Sequence, residues 1–158
     1  MGHALWWIAL GYASCVWDCA SSPSDPRWPS ATGVCVVLMA LRVPRWGLWG
    51  AALCGLVLDA AHGGPLGPRV LAGVLVTALV SQAHLDRAET SWPRALGVFL
   101  AAMALWSMAP FAATVGAVVS VPIRVLQAQS LALSTISSTL IVMALWRLTR
   151  APGDSARD

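Results

Sequence analysis

The sequence predicts an all-α integral membrane protein, with about six transmembrane helices in one bundle. Three observations carry this expectation. Of 158 residues, 58% are hydrophobic and only 11% charged, where a soluble domain carries about 25% charged residues. Mean hydropathy is +0.70, more apolar surface than a water-soluble core of this length hides, so lipid must solvate much of the chain. The apolar residues also fall into successive runs, separated by short breaks rich in Pro, Gly or Arg.

The first run, about His3 to Ala20, is rich in tryptophan (Trp6, Trp7, Trp17). No basic region precedes it, which argues against a cleaved signal peptide and for a retained helix. Ser21 to Ser30 holds three prolines, a charge pair and Trp28, an extra-bilayer loop with an aromatic interface anchor. The second run, about Ala31 to Leu41, is short where a spanning helix needs roughly 20 residues. Arg42-Val43-Pro44-Arg45 is a compact basic turn. The third run, about Trp46 to His62, ends in the breaker cluster His62 to Arg69. The fourth run is about Val70 to Leu85, and the charged stretch Asp86 to Arg94 closes it. The fifth, about Ala95 to Val119, contains Pro110. Val121-Pro122-Ile123-Arg124 turns the chain into the sixth, about Val125 to Leu148. Residues 1–148 are thus expected to form a single transmembrane bundle, and residues 149–158 a short polar cytoplasmic tail.

Six spans put both termini on one side. That side carries Arg42, Arg45, Arg87, Arg94, Arg147, Arg150 and Arg157, against Arg27, Arg69 and Arg124 on the other. The excess points to both termini in the cytoplasm. All ten basic residues are arginine, and no block is dense enough for nucleic acid. The four cysteines (Cys15, Cys19, Cys35, Cys54) form no zinc pattern and read as small, buried, reduced residues. His62 and His84 are too isolated for a metal site. No catalytic, cofactor or metal residue is expected.

In lipid, small and weakly polar residues mediate helix contact. Gly47, Ala51 and Gly55 form a small-xxx-small series, and Ala52, Gly55 and Asp59 share a face. Gly73, Thr77, Ser81 and His84 make a similar stripe. Ser130, Ser134, Ser137 and Ser138 supply the last helix, near Gln127 and Gln129. These stripes specify packing, not a ligand.

Asp59 stands apart, because an ionised Asp at a helix centre costs about 3 kcal/mol on the insertion scale. Its place near a helix end lowers that cost. It is open to several roles: accepting backbone N–H bonds from Gly63 and Gly64, pairing with Arg69, or binding a substrate or relaying protons. One carboxylate makes neither a relay nor a metal site, which favours a structural role. Asp18 is a weaker candidate of the same kind. Gly63, Gly64 and Gly67 allow positive φ, and Pro68 suits a first helical turn, so a rigid hairpin at the outer face is expected.

Arg45 to Leu85 reads RWGLWGAALCGLVLDAAHGGPLGPRVLAGVLVTALVSQAHL. This resembles the bacterial rod shape-determining protein family MreD. The resemblance lies in a Gly-rich third helix ending in Asp, a Gly-containing turn, a Leu-Gly pair and a further apolar helix. Gly55, Asp59, Gly63, Gly64, Leu66 and Gly67 carry it, with Arg69 closing the hairpin. The stretch covers about a quarter of the chain. Two features depart from the family: no proline interrupts Ile141 to Trp146, and Pro93 to Pro122 is Ala-rich.

The resemblance implies a multi-pass protein of the bacterial inner membrane with no enzymatic activity. It implies a scaffold that acts with the bitopic protein MreC. The wider assembly for peptidoglycan elongation includes MreB, a RodA-type glycan polymerase and a transpeptidase, and the surroundings are membrane lipid. The implied fold is similar to the six-helix substrate-binding subunits of energy-coupling-factor vitamin transporters. That likeness supplies the alternative, a subunit binding a small vitamin-like molecule. A lipid-modifying enzyme would need a carboxylate, His or Cys constellation that the sequence does not present.

Overall fold

A computed structural model describes residues 2–21, 29–63, 66–83, 85, 90–112 and 121–149. These form six helices and, among the described residues, no strand. They are α1 (Gly2–Ala20), α2 (Ala31–Arg42), α3 (Pro44–Ala61), α4 (Pro68–Gln82), α5 (Trp92–Ala112) and α6 (Val121–Thr149). The tail expected from residue 150 onward lies outside the described residues.

Local chemistry explains the starts. α3 and α4 each open on a proline, whose missing N–H is not needed in a first turn. α2 opens on Ser30, whose hydroxyl accepts the Gly33 N–H at 3.1 Å. Pro110 lies inside α5, close to its end at Ala112. A proline there removes one hydrogen bond without breaking the helix body.

α2 is the axis of the bundle. It touches α1, α3, α4, α5 and α6. Nine of its 12 residues are buried, so its whole circumference serves as core. At 1.5 Å per residue it rises about 18 Å, well short of a hydrocarbon layer of about 30 Å. Two segments are long and apolar enough to cross a membrane, Trp92–Pro110 and Ala128–Leu148. Six helices are therefore present among the described residues, but length and apolar composition together mark two of them as able to cross a membrane.

Glycines set the closest approaches. A Cβ at Gly55 would lie 2.6 Å from the Arg69 carbonyl oxygen, and one at Gly73 would lie 2.8 Å from that of Ala51. Backbone meets backbone there, so α3 and α4 pack only because these side chains are absent. The small series divides between two neighbours. Gly47 faces Ala40 of α2, whereas Ala51 and Gly55 face α4. At the far side, Phe99 of α5 meets Trp146 of α6 edge-on at 5.8 Å, and the Arg147 guanidinium lies over Trp92 at 5.5 Å.

The bundle is apolar both inside and outside: its core is mainly hydrophobic, and large hydrophobic side chains also lie on its surface. Asp59, Thr32, Thr77, Ser138 and Thr139 are buried, while Trp6, Ile8, Trp49, Leu71, Ile136 and Leu140 are exposed.

Gly73→Leu forces α4 off α3 and is expected to cost about 3 kcal/mol. Gly97→Leu enters open space and is expected to change nothing. Thermal unfolding of the two variants in detergent separates them, and equal midpoints would contradict the α3–α4 packing.

Candidate functional site

The α3–α4 hairpin is built around Asp59, which is 5% exposed in the last turn of α3. Its Oδ2 accepts the Gly67 N–H at 2.8 Å and the Arg69 N–H at 3.2 Å. These donors belong to the N-terminus of α4, where the first N–H groups have no partner within the helix. The carboxylate also sits at the positive end of the α4 dipole. The Arg69 guanidinium turns back and donates from Nη1 to the Leu58 carbonyl at 2.9 Å. The His62 N–H donates to the same carbonyl at 3.1 Å, and the His62 Nδ1 lies 2.8 Å from it. The end of α3 and the start of α4 thus satisfy each other.

This corrects the sequence expectation in two ways. The Gly63 N–H goes to the Ala60 carbonyl rather than to Asp59. Arg69 meets the carboxylate through its backbone N–H, while its side chain serves a carbonyl. The reason is demand. The N–H groups of Gly67 and Arg69 at the start of α4 need an acceptor, and that of Gly63 is already paired.

The other hairpin residues take distinct places. Gly63 (φ +61°) and Gly67 (φ +128°) both need a glycine backbone, yet neither has a neighbour that a Cβ would strike. Gly55 is needed for space instead. Leu66 is 66% exposed and takes no part in the core. Gly64 lies outside the described residues.

A second carboxylate site was under-read in the sequence. Asp18, in the last turn of α1, accepts the Ala31 N–H at 2.9 Å, the Thr32 N–H at 3.0 Å and the Ser30 hydroxyl at 2.9 Å. The Ser30 hydroxyl also accepts from Trp106 Nε1 of α5 at 2.9 Å. The Ser30 N–H donates to the Ser138 hydroxyl of α6 at 3.1 Å. Residues of three other helices, α1, α5 and α6, therefore converge on the start of α2. The signal was available: an Asp at the end of an apolar run, a breaker-rich loop, then Ser30 at the next helix start. Asp59 follows the same order with a shorter loop.

The remaining candidates scatter. Cys15, Cys35 and Cys54 are buried, but Cys19 is exposed on the outer side of α1, contrary to expectation. The Cys15 thiol donates to the Cys54 carbonyl at 3.9 Å, a further tie between α1 and α3. Gly73 and Thr77 are buried, Ser81 is exposed, and His84 lies outside the described residues. On α6, Ser138 is buried and Gln129 faces outward, while the Gln127 side chain is outside the described set. Among the described residues no group of three metal-ligating side chains comes together.

Asp59→Ala leaves two buried N–H groups without an acceptor and is expected to cost about 2 kcal/mol. Asp18→Ala strips three donors and is expected to cost about 3 kcal/mol. Asp59→Asn keeps an acceptor oxygen and should retain most of the stability. Unfolding midpoints in detergent rank the three variants. An Asp18→Ala protein as stable as the parent would remove the proposed cap.

Comparison with family models, with curated proteins and with solved structures gave no match, so the functional reading rests on this chain's own residues.

Proposed function

We propose that this chain is a multi-pass protein of the bacterial cytoplasmic membrane and a non-enzymatic scaffold of the cell-shape and peptidoglycan elongation machinery. In this reading it is MreD-like and acts beside an MreC-like bitopic protein, in an assembly with MreB, a RodA-type glycan polymerase and a transpeptidase. The observation that carries it is the α3–α4 hairpin. Two of the residues that bear the family resemblance, Asp59 and Gly67, form the cap, together with the Arg69 N–H that closes the hairpin. The Asp59 carboxylate is occupied in holding one helix to the next, which supports a structural rather than a chemical role.

The membrane reading draws support from the apolar surface of the bundle. A carboxylate, threonines and serines are inside, and tryptophan, leucine and isoleucine cover the outside. All six helices cross in this reading, with alternating direction and both termini cytoplasmic. α2 is the shortest of them, and groups of α1, α5 and α6 meet its N-terminus. Arg42, Arg94 and Arg147 then share the cytoplasmic end, and Asp18, Asp59 and Arg69 the outer end.

A subunit binding a vitamin-like molecule would need convergent polar groups around a ligand-sized space. The cavity found between α1 and α3 is lined almost wholly by apolar side chains, which weighs against that alternative.

Affinity recovery of the tagged chain from gently solubilised native membranes, read by mass spectrometry, tests the proposal. Stoichiometric recovery of an MreC-like protein is expected. Leu66→Asp, at the exposed hairpin tip, should lower that recovery several-fold without changing the unfolding midpoint. Recovery of transporter subunits with no shape proteins would overturn the scaffold reading.

A further inference from the structure

Sulfur-bearing side chains from three helices line one cavity of about 370 Å³ between α1 and α3. They are Cys15 of α1, Met39 of α2 and Cys54 of α3, and all are buried. The Cys15 thiol reaches the Cys54 carbonyl at 3.9 Å, and the two cysteines also meet side chain to side chain. Glycines hold the thioether close. A Cβ at Gly11 would lie 3.3 Å from the Cys54 sulfur and 3.9 Å from the Met39 methyl carbon. One at Gly50 would lie 3.0 Å from the Met39 sulfur. Trp46, Trp49 and Leu53 line the same cavity and are exposed, so it reaches the surface and admits a small solute.

Packing alone accounts for small buried thiols. It does not account for Thr32. That residue is fully buried, and its hydroxyl makes no short hydrogen bond among the described residues. The group it faces is the Cys15 thiol. A hydroxyl so placed is a donor ready for a thiolate, and the thiolate is the form of cysteine that binds metal. No third His, Cys, Asp or Glu joins the two cysteines among the described residues. Zinc, which takes four ligands, and an iron–sulfur cluster, which takes four cysteines, therefore lack a ligand set here. Thiolate with thioether selects Cu(I). Charge agrees: a monovalent ion on one thiolate is neutral, which an apolar interior tolerates, whereas a divalent ion would keep a net charge.

We propose that Cys15 and Met39 bind one Cu(I) ion, with Cys54 and Thr32 as positioning residues. Cys15 gives its proton to solvent as its sulfur bonds the ion. The Met39 thioether is the second ligand, and its flexible side chain brings the sulfur into line. The Cys54 thiol and the Thr32 hydroxyl donate hydrogen bonds to the Cys15 sulfur. The site needs only the packing of α1, α2 and α3, so it stands apart from the scaffold reading.

The test uses the full chain in detergent, without oxygen and with ascorbate, where Cu(I) is offered in competition with a chromogenic Cu(I) chelator. Retention of one ion per chain is expected, with near-ultraviolet thiolate-to-copper absorption and release of one proton per ion. Cys15→Ser should abolish both retention and absorption. Met39→Leu and Thr32→Val should each weaken binding about tenfold. Cys19→Ser and Cys35→Ala should keep the ion, since neither residue lines the cavity. A parent chain that yields all its copper to the chelator overturns the proposal, as does retention in Cys15→Ser or loss in Cys19→Ser. Unchanged affinity in Met39→Leu overturns it too, and that swap conserves volume, so misfolding does not blur the result. Retention of Zn(II) in place of Cu(I) would overturn the choice of a soft monovalent ion.

Discussion

Two helices of this bundle, α2 and α4, begin against a carboxylate carried by the helix before them. Each start presents backbone N–H groups that its own helix cannot satisfy. In water, solvent would serve them. Inside an apolar bundle only protein groups are at hand, and a bare N–H costs about as much as a lost hydrogen bond. Asp18 serves the start of α2, and Asp59 serves the start of α4. The charge of each carboxylate is offset in turn by the positive end of the helix it caps. Cap and charge resolve each other's cost, which is why a buried Asp is tolerated at each junction.

The central place of α2 depends on the first of these caps. A 12-residue helix that touches the other five must begin within the protein. Asp18, Ser30, Trp106 and Ser138 make that beginning possible, by satisfying it from α1, α5 and α6 together. Packing then follows the same point. At Gly33 a Cβ would come 2.6 Å from the Trp106 ring, so the glycine lets α5 close over the capped turn. The polar cluster and the tight approach are two aspects of one junction.

The second cap links structure to the proposed role. It ties the end of α3 to the start of α4 while leaving Leu66 exposed between them. An exposed Leu66 on a bundle with an apolar exterior suits the contact role proposed above better than it suits chemistry.

The sequence by itself determined the helical class, the order of six elements and most of their limits. Those follow from runs of apolar residues and from local breakers such as Pro44, Gly67 and Pro68, whose effects act over a few residues. It also singled out Asp59 and the glycines around it, because a carboxylate in an apolar run is costly wherever it points. What it could not show were the partners. Which N–H groups Asp59 serves, the division of Gly47 and Gly55 between two neighbours, and the convergence of Ser30, Trp106 and Ser138 all depend on helix placement. Trp106 lies 76 positions from Ser30, and Ser138 lies 108. No local pattern records such separations. Only the packing of α5 and α6 on the short α2 brings those groups within hydrogen-bonding distance, and only that packing makes Asp18 as important as Asp59.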